Sequence, residues 1–489
     1  MSSKSNRILL SGSKFVTYYT FARPVPTHLP TELLIALQGL PGYDAAAFEA
    51  IHASGSQVTS IRINPAKVAT NPASVLADPP LPVLAGATSV PWSTYGYYLQ
   101  ERPFFTFDPL FHAGTYYVQE ASSMFLEQAL RQTADLEKPL RVLDCCAAPG
   151  GKSTLIQSLL TADSLLVSNE VIRNRAHILS ENMTKWGAAN CIVTNNDPAD
   201  LAVLENYFDV IVVDAPCSGS GLFRREPEAI AQWSPANVQL CSQRQQRILA
   251  DCWPALCKDG ILIYSTCSYS REEDEDILDW LTADLDATSE RLQLRSEWNI
   301  VETRGKKGAW GYRFYPDKIK GEGFFIACLR KTGGGSFVPP RKMNAPERIS
   351  RKEQELLQTW VRPEQPFFYF KHQERLHALP ARLAAELAIL QSACYLKKAG
   401  ITLGMPTVKE FIPEHELAMS TIIAPDLPAV TLSLEHALQY LRKEELHPDT
   451  PLRGWALVKY DGHDLGWIKI LPNRSNNYYP KEWRILRKE

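Results

Sequence analysis

Two cysteines stand in settings that suit a reacting thiol. One lies in Asp214-Ala215-Pro216-Cys217-Ser218-Gly219-Ser220-Gly221 and the other in Ser265-Thr266-Cys267-Ser268. Each follows a short run rich in β-branched residues, DVIVVDAP and GILIYSTCS, that reads as a buried strand. Adjacent parallel strands would carry both thiols and Asp214 to one edge, where open α/β sheets take their ligands. A lone buried cysteine is ordinarily a small apolar filler. Two of them beside a carboxylate, flanked by Ser, Thr and Gly, suit covalent catalysis. A thiolate that adds to carbon 6 of a cytosine makes carbon 5 enamine-like, so that it can accept a methyl group. Asp214 would stabilise the charge that develops near the ring nitrogen. A base would then remove the hydrogen at carbon 5 as the thiolate leaves.

Upstream residues suit an adenosine ligand with a charged tail. Cys146-Ala147-Ala148-Pro149-Gly150-Gly151-Lys152 joins a first strand, RVLDCCA, to a helix. Its small residues admit close backbone approach, and the helix N-terminus offers free amides to a carboxylate. Asp144 or its loop lies after the first strand, Glu170 after the second and Asp197 after the third. An acid after strand two can accept both ribose hydroxyls, and one near strand three can take the adenine amino group. Gly151-Lys152-Ser153 resembles the end of a phosphate-binding loop, but Cys146 occupies the position where that loop needs its first glycine. The G-x-G-x-x-G pattern of dinucleotide sites is absent.

The elements that must position these residues alternate between strand and helix from about 140 to 331. This predicts an α/β, Rossmann-like, doubly wound and mostly parallel sheet. The helix RNRAHILSENMTKW should stop at Gly187, and WSPANVQLCSQRQQRILADCWPAL should form a long one. Ser270-Arg271-Glu272-Glu273 reads as a capping box, which makes the acidic run Glu272–Asp276 a helix start rather than a functional patch. Around this core we expect an extension at 1–26, an N-terminal α+β domain of RNA-binding type at 27–115, the catalytic domain at 116–331 and a Gly-Pro-rich linker at 332–344. A mostly helical domain at 345–425 and a β-rich module at 426–489 follow.

Bulk properties exclude more than they assign. A chain of 489 residues with 45% hydrophobic residues supports a large core and additional domains. A net charge of −2 gives no global sign of a nucleic-acid partner, so any such surface must be local. No apolar run is long enough for a membrane span. Ten cysteines without paired spacing suggest reduced thiols and a cytoplasmic setting. No metal is expected, since His415-Glu416 is followed by Met419 where a zinc-protease helix needs a second histidine. Nothing points to an obligate protein partner.

LDCCAAPGGKS, DAPCSGSG and YSTCSYS resemble the signature motifs of the Nol/Nop/Sun family of RNA cytosine-5 methyltransferases. The resemblance implies S-adenosyl-L-methionine as cofactor, with Cys146 to Lys152, Glu170, Asp197 and Asp214 contacting it or the target base. It implies Cys267 as nucleophile and Cys217 as the cysteine that assists release of methylated RNA. DNA cytosine-5 methyltransferases instead use the Pro-Cys cysteine, here Cys217. HAGTYYVQEASSMF and GYRFYPDKIKGEGFFIACLRK are similar to the family's flanking segments, although Asp317-Lys318 stand where many relatives carry a histidine after proline. The whole chain resembles the bacterial branch that acts on small-subunit ribosomal RNA and ends in a PUA-like module. In that module Trp455, Tyr460, Trp467, Tyr478, Tyr479 and Trp483 alternate with Lys459, Lys469, Arg474, Lys481 and Arg484. Aromatic faces can stack bases and cations can hold phosphates, but most such aromatics in a small β module are core. Glu302 to Lys331 holds eight basic residues against three acids, a run that would suit an RNA groove or a solvated face. A target inside a duplex must be turned out of the stack, so a slot at Cys267 is expected.

Overall fold

The computed structural model describes residues 28–487 apart from 70, 73, 341 and 342; the expected extension at 1–26 lies outside the described residues. A ten-stranded sheet forms its centre. The strands are β1 (Arg141–Asp144), β2 (Leu165–Asn169), β3 (Cys191–Thr194), β4 (Phe208–Asp214), β5 (Leu256–Thr266), β6 (Ala287–Glu290), β7 (Val301–Arg304), β8 (Trp310–Phe314), β9 (Phe324–Lys331) and β10 (Leu396–Ala399). Their order is β7-β8-β9-β5-β4-β1-β2-β3-β10, with β6 also paired to β9.

The strands from β3 through β2, β1 and β4 to β5 run parallel, as the strand–helix alternation predicts. The expectation of a mostly parallel sheet needs correction at both flanks. β6 to β9 form antiparallel pairs, and β10 adds antiparallel to β3. After β5 only one helix intervenes before a run of short strands, so antiparallel pairing replaces the helical crossover that a parallel neighbour requires. Side chains alternate between the two covered faces. Val210 and Val212 of β4 pack with Leu155, Ile156, Leu179 and Met183 on one side, while Ile211 and Val213 pack with Ile248, Leu249 and Leu281 on the other.

The helices are α1 (Gly151–Leu159), α2 (Arg173–Trp186), α3 (Pro198–Leu201), α4 (Pro235–Cys252) and α5 (Glu275–Asp284). Gly187 ends α2 at a φ of 88°, with its N–H bonded to the Met183 carbonyl. Ser234 caps α4 by accepting from Asn237 N. The capping box expected at Ser270 is absent. Residues Arg271–Glu273 form a single 3-10 turn without a side-chain cap, and α5 begins only at Glu275. The Glu273 carboxylate is engaged elsewhere.

The N-terminal domain carries strands Ser60–Ile63, Thr88–Ser89, Gly96–Tyr98 and Tyr116–Val118 in one sheet. Since Tyr116–Val118 pairs with Ser60–Ile63, this sheet runs past the boundary placed at 115. Three side chains of the SIRINPAK strand and turn fasten the domain to the core. Arg62 NH2 donates to Thr154 Oγ1 (2.5 Å) and the Gly151 carbonyl (3.4 Å). Asn64 Nδ2 donates to the Trp186 carbonyl, and Lys67 Nζ to the Lys185 carbonyl, both in the last turn of α2.

The helical domain expected at 345–425 is instead built on a five-stranded sheet: Glu347–Arg348, Phe367–His372, Arg375–Pro380, Ile401–Pro406 and Phe411–Pro413. Helices Arg351–Leu357, Ala384–Ala393 and His415–Met419 flank it. The final module has strands Ala429–Thr431, Gly454–Tyr460, His463–Ile470 and Ser475–Asn477 with helix Leu434–Leu441. There Trp467 and Tyr479 are core, while Tyr478 is exposed.

Candidate active site

β4 and β5 are neighbours in register, with Asp214 beside Ser265. Their C-terminal loops therefore run together, and Cys217 Sγ lies 2.9 Å from Cys267 Sγ. Both thiols are free and half-buried. The hydrogen bond to Cys267, together with burial, pushes the Cys217 thiol well above its ordinary pKa. Backbone bonds hold the loops as well: Ala215 N donates to the Ser265 carbonyl and Gly221 N to the Cys267 carbonyl.

Asp214 accepts from Ser265 Oγ at 2.8 Å and pairs with Lys152 Nζ at 2.7 Å. Burial disfavours the Lys152 charge, but Asp214 at its side outweighs this and raises the ammonium's pKa; Asp144 and Cys267 act in the same sense. The last residue of the Cys146–Lys152 loop thus reaches the C-terminal end of β4.

The rest of that loop turns from β1 into α1. Ala147 N donates to the Asn169 carbonyl of β2. The Ala148 carbonyl accepts from Arg175 and the Pro149 carbonyl from Asn182, both on α2. Gly150 takes a φ of 114°, a backbone state that favours glycine, and sets up the first turn of α1. Below it Asp144 is fully buried. One of its oxygens accepts from Ser153 Oγ at 2.7 Å, while Oδ1 has no hydrogen-bond partner. Burial raises its pKa to about 7.

Glu170 is buried after β2, accepts from Ile172 N and lies 3.4 Å from Arg175. Asp197 stands after β3, caps α3 through Ala199 N and lies 3.5 Å from Arg247 of α4. The predicted residues therefore form two groups at one sheet edge. Lys152 and Asp214 pair at the end of β4 and the Cys217 and Cys267 thiols meet in the adjoining loops, and Cys146–Gly151, Glu170 and Asp197 follow the C-terminal ends of β1 to β3.

Sequence reasoning missed Glu273. Fully buried, its carboxylate accepts from Ser218 N, Ser218 Oγ, Ser268 Oγ and Gln245 Nε2. It also missed Arg313, which pairs inside the protein with Asp274 and Glu275. An acidic run five residues after Cys267 was the available signal, but helix-start chemistry explains such a run equally well. Two of the eight basic residues at 302–331 are withdrawn from any RNA groove by burial. Arg313 and Lys331 are buried, and Arg304 stacks on Trp310. Among the described residues no His, Cys, Asp and Glu cluster suits a metal, and no helix is long and apolar enough to cross a membrane.

A doubly wound sheet with a glycine-bearing loop after its first strand and acids after the next two is the build of a Rossmann-like methyltransferase. Three family models match this chain: the N-terminal domain of 16S rRNA methyltransferase RsmF at 29–121, 16S rRNA methyltransferase RsmB/F at 132–330, and the methyltransferase RsmF PUA domain at 428–485. Ribosomal RNA small subunit methyltransferase F of Pectobacterium carotovorum is 28% identical over 489 residues, covering 94% of this chain and 97% of its own. Its namesake in Cronobacter sakazakii is 29% identical over 449 residues, covering 86% and 89%. NSun6 from Pyrococcus horikoshii, solved with SFG, an S-adenosylmethionine analogue, shares the fold at 20% identity and a TM-score of 0.51, covering 62% of this chain and 98% of that one. The chain belongs to the Nol/Nop/Sun family of RNA methyltransferases, in its bacterial small-subunit ribosomal RNA branch.

Proposed function

We propose that this enzyme methylates carbon 5 of a cytosine in small-subunit (16S) ribosomal RNA, using S-adenosyl-L-methionine and a covalent Cys267 adduct. The observation that carries this reading is the pair of sulfurs 2.9 Å apart at the strand edge that also presents Asp214. At that separation the Cys217 thiol can donate a hydrogen bond to the Cys267 sulfur. The resemblance of YSTCSYS and DAPCSGSG to the family's two cysteine motifs favours Cys267 as nucleophile over the arrangement of the DNA enzymes.

The residues present fit the cofactor. Asp144 Oδ1 is buried without a hydrogen-bond partner at the C-terminal end of β1, where the Cys146–Lys152 loop begins. Cys146 to Gly151 and Asp144 would hold the methionine end, Glu170 the ribose and Asp197 the adenine. Bound there, S-adenosylmethionine supplies the methyl group.

This chain's side chains carry the rest. The Cys267 sulfur forms a bond to carbon 6 of the cytosine as its thiol proton passes to the ring nitrogen facing Asp214, which receives the displaced electron pair. Lys152 holds Asp214 in place and offsets its charge. After methylation water takes the carbon 5 hydrogen as a proton, the C–H electron pair forms the carbon 5–carbon 6 double bond, and the carbon–sulfur bond breaks with its pair returning to the Cys267 sulfur. The departing Cys267 thiolate accepts a hydrogen bond from Cys217. The PUA-like module and the N-terminal domain would hold the RNA.

The test is to purify the Cys217→Ser variant from cells and look for covalently attached RNA. Attached RNA that disappears in Cys217→Ser/Cys267→Ala supports both assignments, and its sequence identifies the target. Absence of RNA, together with loss of methyl transfer in Cys217→Ser alone, would reverse the two cysteines' roles.

A further inference from the structure

The acidic residue between the thiol loops has no part in the reaction described so far. Glu273 contacts neither sulfur, yet it bonds to the residue that follows each of them. Ser218 N and Gln245 Nε2 donate to Oε1 at 2.8 and 3.2 Å, and Ser218 Oγ and Ser268 Oγ donate to Oε2 at 2.5 and 2.6 Å. A carboxylate offers about four acceptor sites and no donor, and here four donors converge on it. The donors belong to three elements: the loop after β4, the loop after β5, and α4. Gln245 also donates to the Pro216 carbonyl at 3.1 Å, one residue before Cys217. Tyr264 of β5 closes the group by donating to the Glu273 carbonyl at 2.6 Å.

Resting on the thiol roles proposed above, we infer that Glu273 is a positioning residue that keeps Cys217 in register with Cys267, so that product release depends on it more than bond formation does. The asymmetry follows from where its contacts fall. The Cys217 loop receives two direct bonds from Glu273 and a third through Gln245. The Cys267 loop receives one, and Cys267 also continues directly from β5, whose backbone is paired on both sides. Loosening Glu273 therefore displaces the Cys217 thiol first. A displaced Cys217 no longer donates to the departing sulfur, and the adduct breaks down slowly.

Glutamine is the informative replacement, being isosteric with a single acceptor oxygen. That oxygen can keep Ser218 N and Gln245, while its amide faces the two serine hydroxyls, which can turn to accept. Glu273→Gln should fold, and Ser268→Ala provides a second variant that removes one donor only. Both are assayed beside the wild type and Cys217→Ser, using transcribed small-subunit ribosomal RNA and labelled S-adenosylmethionine. First-turnover methyl transfer, steady-state turnover and covalent RNA on denaturing gels are measured. For Glu273→Gln, steady-state turnover should fall about tenfold or more, with first-turnover transfer changed about threefold or less, and adduct should accumulate. Ser268→Ala should shift in the same direction by less. Equal slowing of both phases without adduct in Glu273→Gln, while Cys217→Ser does trap RNA, would overturn this inference alone. If Cys217→Ser traps nothing either, the thiol roles fail and the inference falls with them.

Discussion

Lys152 Nζ sits 2.7 Å from Asp214 Oδ2, which ties the loop at the start of α1 to the end of β4. The lysine side chain is 13% exposed and the aspartate 36%, so the pair is sheltered at one end and open to solvent at the other. Burial of the lysine end limits, without removing, the screening of the pair by solvent. Lys152→Met should lower the first-turnover rate about a hundredfold, the scale for removing one preorganised electrostatic group. No adduct should accumulate, because the loss precedes release. A rate within twofold of wild type would show that Asp214 needs no counter-charge.

On the cofactor placement proposed above, Asp144 gives binding a pH dependence with a definite sign. Burial holds its carboxyl at about 7, while Ser153 satisfies one oxygen only. A cationic ligand favours the ionised form, so binding below pH 7 must release a proton. Cofactor affinity should tighten about tenfold between pH 6 and 8, the scale of one pKa unit. Isothermal titration in buffers of differing ionisation enthalpy reads both the affinity and the proton. In Asp144→Asn the pH dependence should vanish. In folding, the sign is opposite: the native state binds the extra proton between about pH 4 and 7, so Asp144 lowers the stability of the ligand-free protein as pH rises through that window.

The clasp from the N-terminal domain makes a separate prediction about stability. Asn64 and Lys67 satisfy carbonyls at the C-terminus of α2, where a positive charge is favoured. Asn64→Ala leaves two buried carbonyls without that donor, a loss of about 1–3 kcal/mol. Thermal melting should show this as a lower Tm or as a separate early transition of the N-terminal domain. An unchanged melt would mean that water replaces the amide without penalty.

Much of the parallel half was legible because its signals are local. Gly187, Ser234 and the hydrophobic runs of β1 to β5 each state their own structure. The hairpin joining Phe367–His372 to Arg375–Pro380 was not legible, because its turn residues are Gln373 and Glu374, both at positive φ. The usual Asn-Gly or Asp-Gly signal is missing, and tertiary packing imposes the backbone state instead. Of the site, the cysteines, Asp214 and the Cys146–Lys152 loop were visible as motifs. Glu273 was hidden because its role depends on which loops fold against it, and a run of acids before an apolar stretch has a sufficient local reading.

β10 supplies the final prediction. It comes from beyond the linker yet extends the catalytic sheet at β3, whose residues are fully buried. Gly400 N donates to the Cys191 carbonyl and Asn195 N to the Tyr395 carbonyl, so both ends of β3 are covered. On the neighbouring domain Glu416 pairs with the buried Lys398 of the same strand. Nothing in residues 116–331 replaces these bonds. Removing everything after 331 exposes the edge of an apolar strand, which invites pairing between molecules. The shortened protein should aggregate on light scattering and melt more than about 5 °C lower than the full chain. Were it instead monomeric with an unchanged Tm, the catalytic domain would close its own edge and β10 would contribute no stability to the sheet.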